Sequence, residues 1–344
     1  MSPLTRTRRR HVRTNGKPTI TDVAREAGVS AAAVSYVLNR RLKEVSPETA
    51  ERVMKAVRDL GYVKNMAAAA LTGQKSRMIA AIIPSLFDPL AGGSEPPINP
   101  FYGEFLVRLE AEARARGYAL CFHTGRDEEN VHFLLERNMD AAILVGFSAW
   151  DLPGLLQRRD IRCVLYDSYG DAPAHSHVRT DEVKGGYLAA ERLLDIGKRQ
   201  LVFLGGQPLE NSDNVPTARF RGARKACEAA GGTISALEVA TSYDAGVYAA
   251  QKVIDLGATG VVAAADVIAA GLVDGLQRHG LSVPQDVAVM GYDNLPICLY
   301  TRPRLSTINQ GLFEKVKAVM DLVEDPQPGA VRVIDPTCVV RESA

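Results

Sequence analysis

Apolar and polar positions along this chain follow two rhythms, and the change from one to the other falls near residue 76. The first rhythm is helical. Ile20, Val23, Ala24 and Ala27 lie three and four residues apart, which gathers them on one face of a short helix. Gly28 permits a sharp turn, Val29 plugs the space beneath it, and Ser30 is placed to cap a second helix buried through Val34, Val37 and Leu38. That helix turns Ala31, Ala32, Ser35, Tyr36 and Asn39 outward. After the polar stretch Arg40–Glu44, Ser46-Pro47-Glu48 opens a third helix with a cap, a first-turn proline and an acid near the positive helix end. Val53, Met54, Val57 and Leu60 form its expected buried stripe, and Gly61 ends it. The spacing by itself favours an ordinary helical hairpin over a helix-turn-helix, because such helix pairs also occur outside DNA binding. Asn65-Met-Ala-Ala-Ala-Ala-Leu-Thr-Gly73 follows as a helix-prone linker, too short at about two turns to hold as an isolated helix in water.

Beyond Ser76 short apolar runs alternate with amphipathic helical stretches. Strands are expected at Met78–Ile83, Ala119–Phe122, Ala141–Val145 and Cys163–Tyr166, with helices over Tyr102–Arg116 and Glu128–Arg137. A second series places helices at Lys184–Asp195, Ala218–Ala230, Ala245–Leu256 and Asp266–His279. Between them come strands at Gln200–Leu204, Leu237–Ala240, Gly260–Ala264 and Asp286–Met290. Strand–helix alternation of this kind predicts doubly wound parallel sheets. Two in tandem would enclose a crevice at the strand C-terminal ends, where a small ligand binds.

Charge sharpens this division. The 344 residues carry a net charge of +1, but 15 Lys/Arg against 6 Asp/Glu fall in residues 1–75, and 26 against 34 in the remainder, +9 against −8. A basic module on an acidic body implies that only the first part meets a polyanion. Arg6-Thr-Arg-Arg-Arg10 reads either as an arm that touches phosphates or as a solubilising tail. Five scattered cysteines without a CxxC pair argue against a disulfide or metal framework and for a reducing, cytoplasmic setting. No apolar run approaches a membrane span, and no apolar stretch follows the basic start as in a secretory signal.

The stretches Thr19 to Asn39, Glu51-Arg-Val-Met with Leu60-Gly-Tyr62, and Asn65, Ala68 and Leu71 resemble the DNA-binding headpiece of the LacI/GalR family of bacterial repressors. In the body, Asn99-Pro-Phe-Tyr102, Asp181 with Gly185-Gly, Leu204-Gly-Gly206, Arg219-Phe-Arg-Gly222, Asp266-Val-Ile-Ala-Ala-Gly271 and Val283 to Asn294 are similar to that family's core. The resemblance implies a small all-α helix-turn-helix headpiece plus an α/β core of two doubly wound parallel-sheet lobes, like a type I periplasmic binding protein. It divides the chain into an arm (1–18), a headpiece (19–64), a hinge that becomes helical on operator (65–75) and a core (76–344). By analogy the core chain crosses between lobes near Thr180, Gln310 and Pro328. This makes the N-lobe about 76–179 and 310–327, and the C-lobe about 180–309 and 328–344.

Carried over by position, DNA contact falls to Thr19, Ser30, Ala31, Ala32, Ser35, Tyr36 and Asn39, and in the hinge to Asn65, Ala68 and Leu71. Base reading belongs to Ala31, Ala32 and Tyr36, and Leu71 is the residue that wedges into the minor groove. Alanines stand where many relatives carry polar readers, and tyrosine cannot grip guanine bidentately. Specificity is therefore expected to lean on the hinge, phosphate contacts and DNA shape.

The implied effector residues are Phe101, Tyr102, Asp167, Arg219, Asp266 and Asp293. Aromatic faces stack on a sugar or base, while carboxylates and a guanidinium grip hydroxyls, ring nitrogens or a carboxylate. Alternatives stand beside each: an Asx-turn for Asp167 and Asp293, a surface ion pair for Arg219, and a helix cap for Asp266, which follows Ala265 where the family usually has asparagine. Pro89-Leu-Ala-Gly-Gly-Ser-Glu-Pro-Pro-Ile98 reads as a loop inserted beside the ligand mouth. The function implied is a homodimeric repressor on a double-stranded, pseudo-palindromic operator, controlled by a small-molecule effector such as a sugar or related metabolite. No cofactor, metal, membrane or catalytic role is expected. The rival readings are a transport-type binding protein, an enzyme, and a regulator governed by a protein partner; no nucleophile elbow, phosphate loop or metal spacing supports the enzyme.

Overall fold

A computed structural model describes residues 18–38, 41–63, 76–84, 99–125, 127–147, 151–158, 160–168, 170, 172–206, 208 and 214–344. The chain divides into two compact units, Met1–Gln74 and Lys75–Ala344. Asn39, Asn65, Ala68, Leu71, residues 1–17 of the arm, the hinge segment and the 89–98 insertion lie outside the described residues.

In the first unit, α1 (Ile20–Ala27), α2 (Ala31–Leu38) and α3 (Pro47–Leu60) surround a core of Val23, Ala24, Ala27, Val34, Val37, Val53 and Ala56. Thr19 and Asp22 form a reciprocal capping box at the start of α1, and Gly28 ends it at φ 64°. The buried stripe of α3 differs by one residue from the expected one. It runs Val53, Ala56, Val57 and Leu60, which leaves Met54 40% exposed. Spacing of three, four and seven residues from Val53 selects Ala56, and a small side chain at that position lets α3 approach the other helices.

The second unit begins with β1 (Met78–Ile83), α4 (Pro100–Ala115), β2 (Ala119–Thr124), α5 (Asp127–Glu136), β3 (Ala141–Val145), α6 (Pro153–Gln157), β4 (Cys163–Tyr166) and β5 (Ser176–Thr180). It continues through α7 (Glu182–Asp195), β6 (Gln200–Gly205), α8 (Val215–Ala230), β7 (Thr233–Glu238), α9 (Tyr243–Asp255), β8 (Gly260–Ala263), α10 (Asp266–Arg278) and β9 (Ala288–Tyr292). It closes with α11 (Ile297–Tyr300), β10 (Ser306–Asn309), α12 (Leu312–Glu324), β11 (Val331–Ile334) and β12 (Thr337–Val339). Two six-stranded sheets result, in the orders β11-β5-β4-β3-β1-β2 and β12-β10-β9-β8-β6-β7. Every strand pairing among the described residues is parallel except β12 against β10. The central strands β1, β3, β4 and β8 are buried almost throughout, which explains their unbroken apolar runs.

The chain passes from the first sheet to the second after Thr180, returns after Asn309, and passes over again between Ile334 and Thr337. The third passage corrects the expected crossing near Pro328. Val331–Ile334 pairs in parallel with His177–Thr180 of the first lobe, so the C-lobe tail starts only at Asp335-Pro336. The turn at Gln327–Ala330 merely redirects the chain after α12 into its edge strand.

Candidate functional site

On the headpiece, α2 buries Val34 and Val37 and turns the opposite face outward. Ala31 and Ala32 are exposed and Ser35 and Tyr36 half-buried on that face. Two of the expected contact residues are occupied in holding the helices. Thr19 Oγ1 accepts from the Asp22 amide at 3.3 Å, and Ser30 Oγ accepts from the Ala33 amide at 3.1 Å. Both remain at helix N-termini, where backbone N–H groups and the helix dipole favour a phosphate.

In the core, a cavity of about 230 Å³ lies between the two sheets. Its wall consists largely of residues just beyond strand C-terminal ends. Gly146 follows β3, Asp167 follows β4, Gly206 follows β6, Ala264 follows β8, Asp293 follows β9 and Gln310 follows β10. Parallel strands aim all their C-terminal ends the same way, so each lobe contributes one half of the wall. Asn99, Phe101 and Tyr102 complete it from the start of α4, where Asn99 Oδ1 accepts from the Phe101 amide at 3.0 Å. Phe101 is largely core, near Phe105 and Tyr166, and Tyr102 meets it edge-on at 5.8 Å between ring centroids. A larger depression of about 640 Å³ adjoins through Asp167 and Val215.

Charge in this region is internally matched. Arg219 Nε and Nη2 donate to the two carboxylate oxygens of Glu182 at 2.7 and 3.1 Å, Nη1 donates to the Ala264 carbonyl, and the guanidinium carbon stacks 3.5 Å from the Tyr292 ring centroid. Glycines permit this meeting of α7 and α8. A Cβ at Gly186 would lie 1.9 Å from the Arg219 carbonyl oxygen, and one at Gly222 1.9 Å from that of Val183. Burial alone would raise the Glu182 carboxyl, but the adjoining guanidinium overrides it and holds the carboxyl below its ordinary value. Arg219, which burial alone would make easier to deprotonate, is raised instead by Glu182.

A second buried set links the lobes. Lys315 of α12, fully buried, donates to Asp167 Oδ2 at 2.5 Å and to Gln310 Oε1, while Gln310 Nε2 donates to Asp293 Oδ1 at 2.6 Å. Thr180 donates its hydroxyl to the Gln310 carbonyl at 3.0 Å and its amide to Asp167 Oδ1 at 3.3 Å, which ties the first and second passages together. Burial raises Asp167 although Lys315 pulls the other way, and burial raises Asp293 well above the carboxylate range. Both residues have left-handed backbone, φ 45° and 112°, which bends the chain sharply at each strand end.

The structure thus brings Phe101, Tyr102, Asp167, Arg219 and Asp293 to one cavity and leaves Asp266 out of it. Asp266 is fully buried on α10, accepts from the Leu295 amide at 2.7 Å and the Thr307 hydroxyl at 2.6 Å, and does not line the wall. Nor does it cap that helix: Ala265 is the N-cap and makes no side-chain cap bond. Its place behind the wall, bridging β10 to the loop after β9, is structural, and burial pushes it up to about 6. Arg219 is in an ion pair, as the alternative reading had it, but a buried one facing the cavity. Sequence reasoning passed over Glu182, Gln310 and Lys315. For Lys315 a signal existed, since it falls on the apolar stripe Leu312, Val316, Val319, Val323 of its helix.

Comparison with known proteins supplies the family. Residues 19–65 match the model described as bacterial regulatory proteins, lacI family, and residues 173–344 match the periplasmic binding protein-like domain. The transcriptional repressor PurR of Vibrio cholerae is 32% identical over 308 residues, spanning 85% of this chain and 86% of its own. A solved complex of the transcriptional regulator CelR with cellobiose is 27% identical, covers 95% of this chain and all of its own, and superposes at a TM-score of 0.67. The lac repressor dimer bound to operator, at 23% identity, shares the fold at a TM-score of 0.79 over 95% of this chain and 99% of its own. Headpiece, two-lobed core and inter-lobe cavity together make this chain a member of the LacI family of bacterial DNA-binding transcriptional regulators.

Proposed function

We propose that the chain represses transcription as a homodimer on a pseudo-palindromic operator, and that a sugar-like effector in the inter-lobe cavity sets its grip on DNA. The observation that carries this reading is the convergence of strand ends from both lobes on one cavity, with Tyr102 on one side and Arg219, Asp293 and Gln310 on the other. A ligand held by both walls prefers one inter-lobe angle over another, and that preference is the free energy available for regulation. The coupling is reciprocal: operator must change effector affinity by the factor by which effector changes operator affinity.

The cavity suits binding rather than catalysis. Its charged groups are engaged with one another, Arg219 with Glu182 and Asp167 with Lys315. An aromatic wall opposite hydrogen-bonding groups matches the two faces of a sugar, and the CelR relative is solved with cellobiose. In α2, Ala31, Ala32, Ser35 and Tyr36 would face base edges, with Thr19 and Ser30 toward phosphates; Asn39, Asn65, Ala68 and Leu71 complete the proposed DNA contacts by family position. No helix among the described residues is long and apolar enough to cross a membrane.

Selection of randomised duplexes by the full-length protein tests this. Enrichment of a pseudo-palindrome with half-sites about one helical turn apart is expected. Leu71→Ala should weaken binding to the selected operator and leave the thermal shift produced by an effector intact. Absence of any enriched sequence, with and without a metabolite extract, would contradict the proposal.

A further inference from the structure

We infer that Glu182 is a specificity-determining residue: by occupying Arg219 it confines the inter-lobe cavity to uncharged polyhydroxylated ligands and turns carboxylates and phosphates away. This rests on the reading of that cavity as the effector site.

A free guanidinium offers an anion its paired edge, two parallel N–H groups matched to two oxygens. In Arg219 that edge already belongs to Glu182 through Nε and Nη2, and a third N–H is spent on the Ala264 carbonyl. Of the five donors of a guanidinium, what remains is one N–H on each terminal nitrogen. Those two N–H groups suffice for hydroxyls, but the charge behind them is already neutralised by Glu182, so a desolvated carboxylate would find donors there without an unpaired counter-charge. The fully buried Lys315 is likewise committed, to Asp167 and Gln310, and is not part of the cavity wall. Arg219 and Lys315 therefore each have their own anion. An anion entering this cavity would give up its hydration near Glu182 and Asp167, whose cations are already paired, which is the unfavourable case for a buried charge.

Local structure makes Glu182 a durable occupant. It opens α7, where the helix dipole favours a carboxylate, and its side chain is 10% exposed against 8% for Arg219. Gly186 and Gly222 hold α7 and α8 at a separation that no longer side chain would allow. The pair is thus fixed before ligand arrives, and a ligand carboxylate would have to displace it.

The test uses full-length protein, thermal shift and calorimetry at constant ionic strength, with D-ribose, D-glucose and cellobiose against D-gluconate and D-glucuronate. Glu182→Gln keeps the volume and one acceptor oxygen but frees the charge of Arg219. It should bind gluconate or glucuronate about tenfold or more tighter than the wild type does. The double variant Glu182→Gln with Arg219→Gln should lose that gain. Wild type binding either acid as tightly as Glu182→Gln binds it, or a folded Glu182→Gln that gains nothing, would overturn the assignment. Should Glu182→Gln not fold, the wild type decides alone: glucuronate or gluconate binding tighter than glucose overturns the proposal, and the reverse order supports it. A sugar that binds wild type and the double variant equally removes the effector from this cavity, and so overturns the underlying reading itself. Failure of the charge swap in a protein whose sugar response is lost in the double variant overturns only the role of Glu182.

Discussion

The headpiece and the inter-lobe cavity handle polarity in opposite ways. Among its described residues the headpiece buries only apolar side chains, uses hydroxyls as helix caps, and turns small uncharged side chains outward at Ala31 and Ala32. The cavity region buries two ion pairs, Arg219–Glu182 and Lys315–Asp167, behind walls of strand-end residues. A surface that docks on a hydrated polyanion can take its electrostatics from basic side chains and helix termini in water. A site that must enclose a small molecule draws its polar groups out of water and must match every charge in advance. The contrast places the steep energetic consequences of mutation in the core and the informational ones in the headpiece.

The largest effect should come from unpairing a buried charge. Lys315→Met leaves the largely buried Asp167 carboxylate without its cation and should destabilise the core by about 3–5 kcal/mol, read by denaturant titration. Adding Asp167→Asn should recover most of that loss, because the penalty lies in the orphaned charge. If the single variant costs under ~1 kcal/mol, Lys315 and Asp167 are not a buried pair in solution and the contrast with the headpiece weakens. Ser30→Ala removes the cap of α2 and should cost the headpiece about 1 kcal/mol, visible in amide exchange of residues 18–63 and not in the core. Protection lost equally in both units would deny their independence.

The smallest effect is a pH slope. Burial raises Asp293 in the folded protein above its unfolded value, so the folded state binds more protons. The stabilisation is complete below the unfolded carboxylate value and is lost as pH rises through the folded one. Asp293→Asn cannot ionise and should flatten the dependence of melting temperature on pH above about 4, where the unfolded carboxyl begins to titrate. A variant with the wild-type slope would mean that Asp293 is solvated and does not sit in the wall as described.

How much of this was legible in the chain follows the same division. Helical spacing in α1 and α2, the turn at Gly28 and the apolar runs of β1, β3, β4 and β8 are local signals, and they lie where the spacing placed them. β5 was missed because Ser176 and Thr180 are polar yet buried, satisfied by the carbonyls of Gln327 and Gln310 far along the chain. β11 and β12 are short, and their places depend on which sheet accepts them; the third passage was therefore misplaced by several residues. Glu182 and Arg219 are 37 residues apart, and only the close crossing of α7 and α8 at Gly186 and Gly222 brings them together. Family position named Arg219 and Asp293 for the site, but it also named Asp266, whose carboxylate is spent on Leu295 and Thr307.

The central claim is that occupancy of the inter-lobe cavity changes the grip on DNA. The most direct measurement is the affinity of a selected operator, with and without a stabilising sugar, for wild type and for Glu182→Gln with Arg219→Gln. The account predicts a change of about tenfold in wild type, in either direction, that disappears in the double variant at the same sugar concentration. An equal change in both proteins, or none in wild type at saturating sugar, would contradict it.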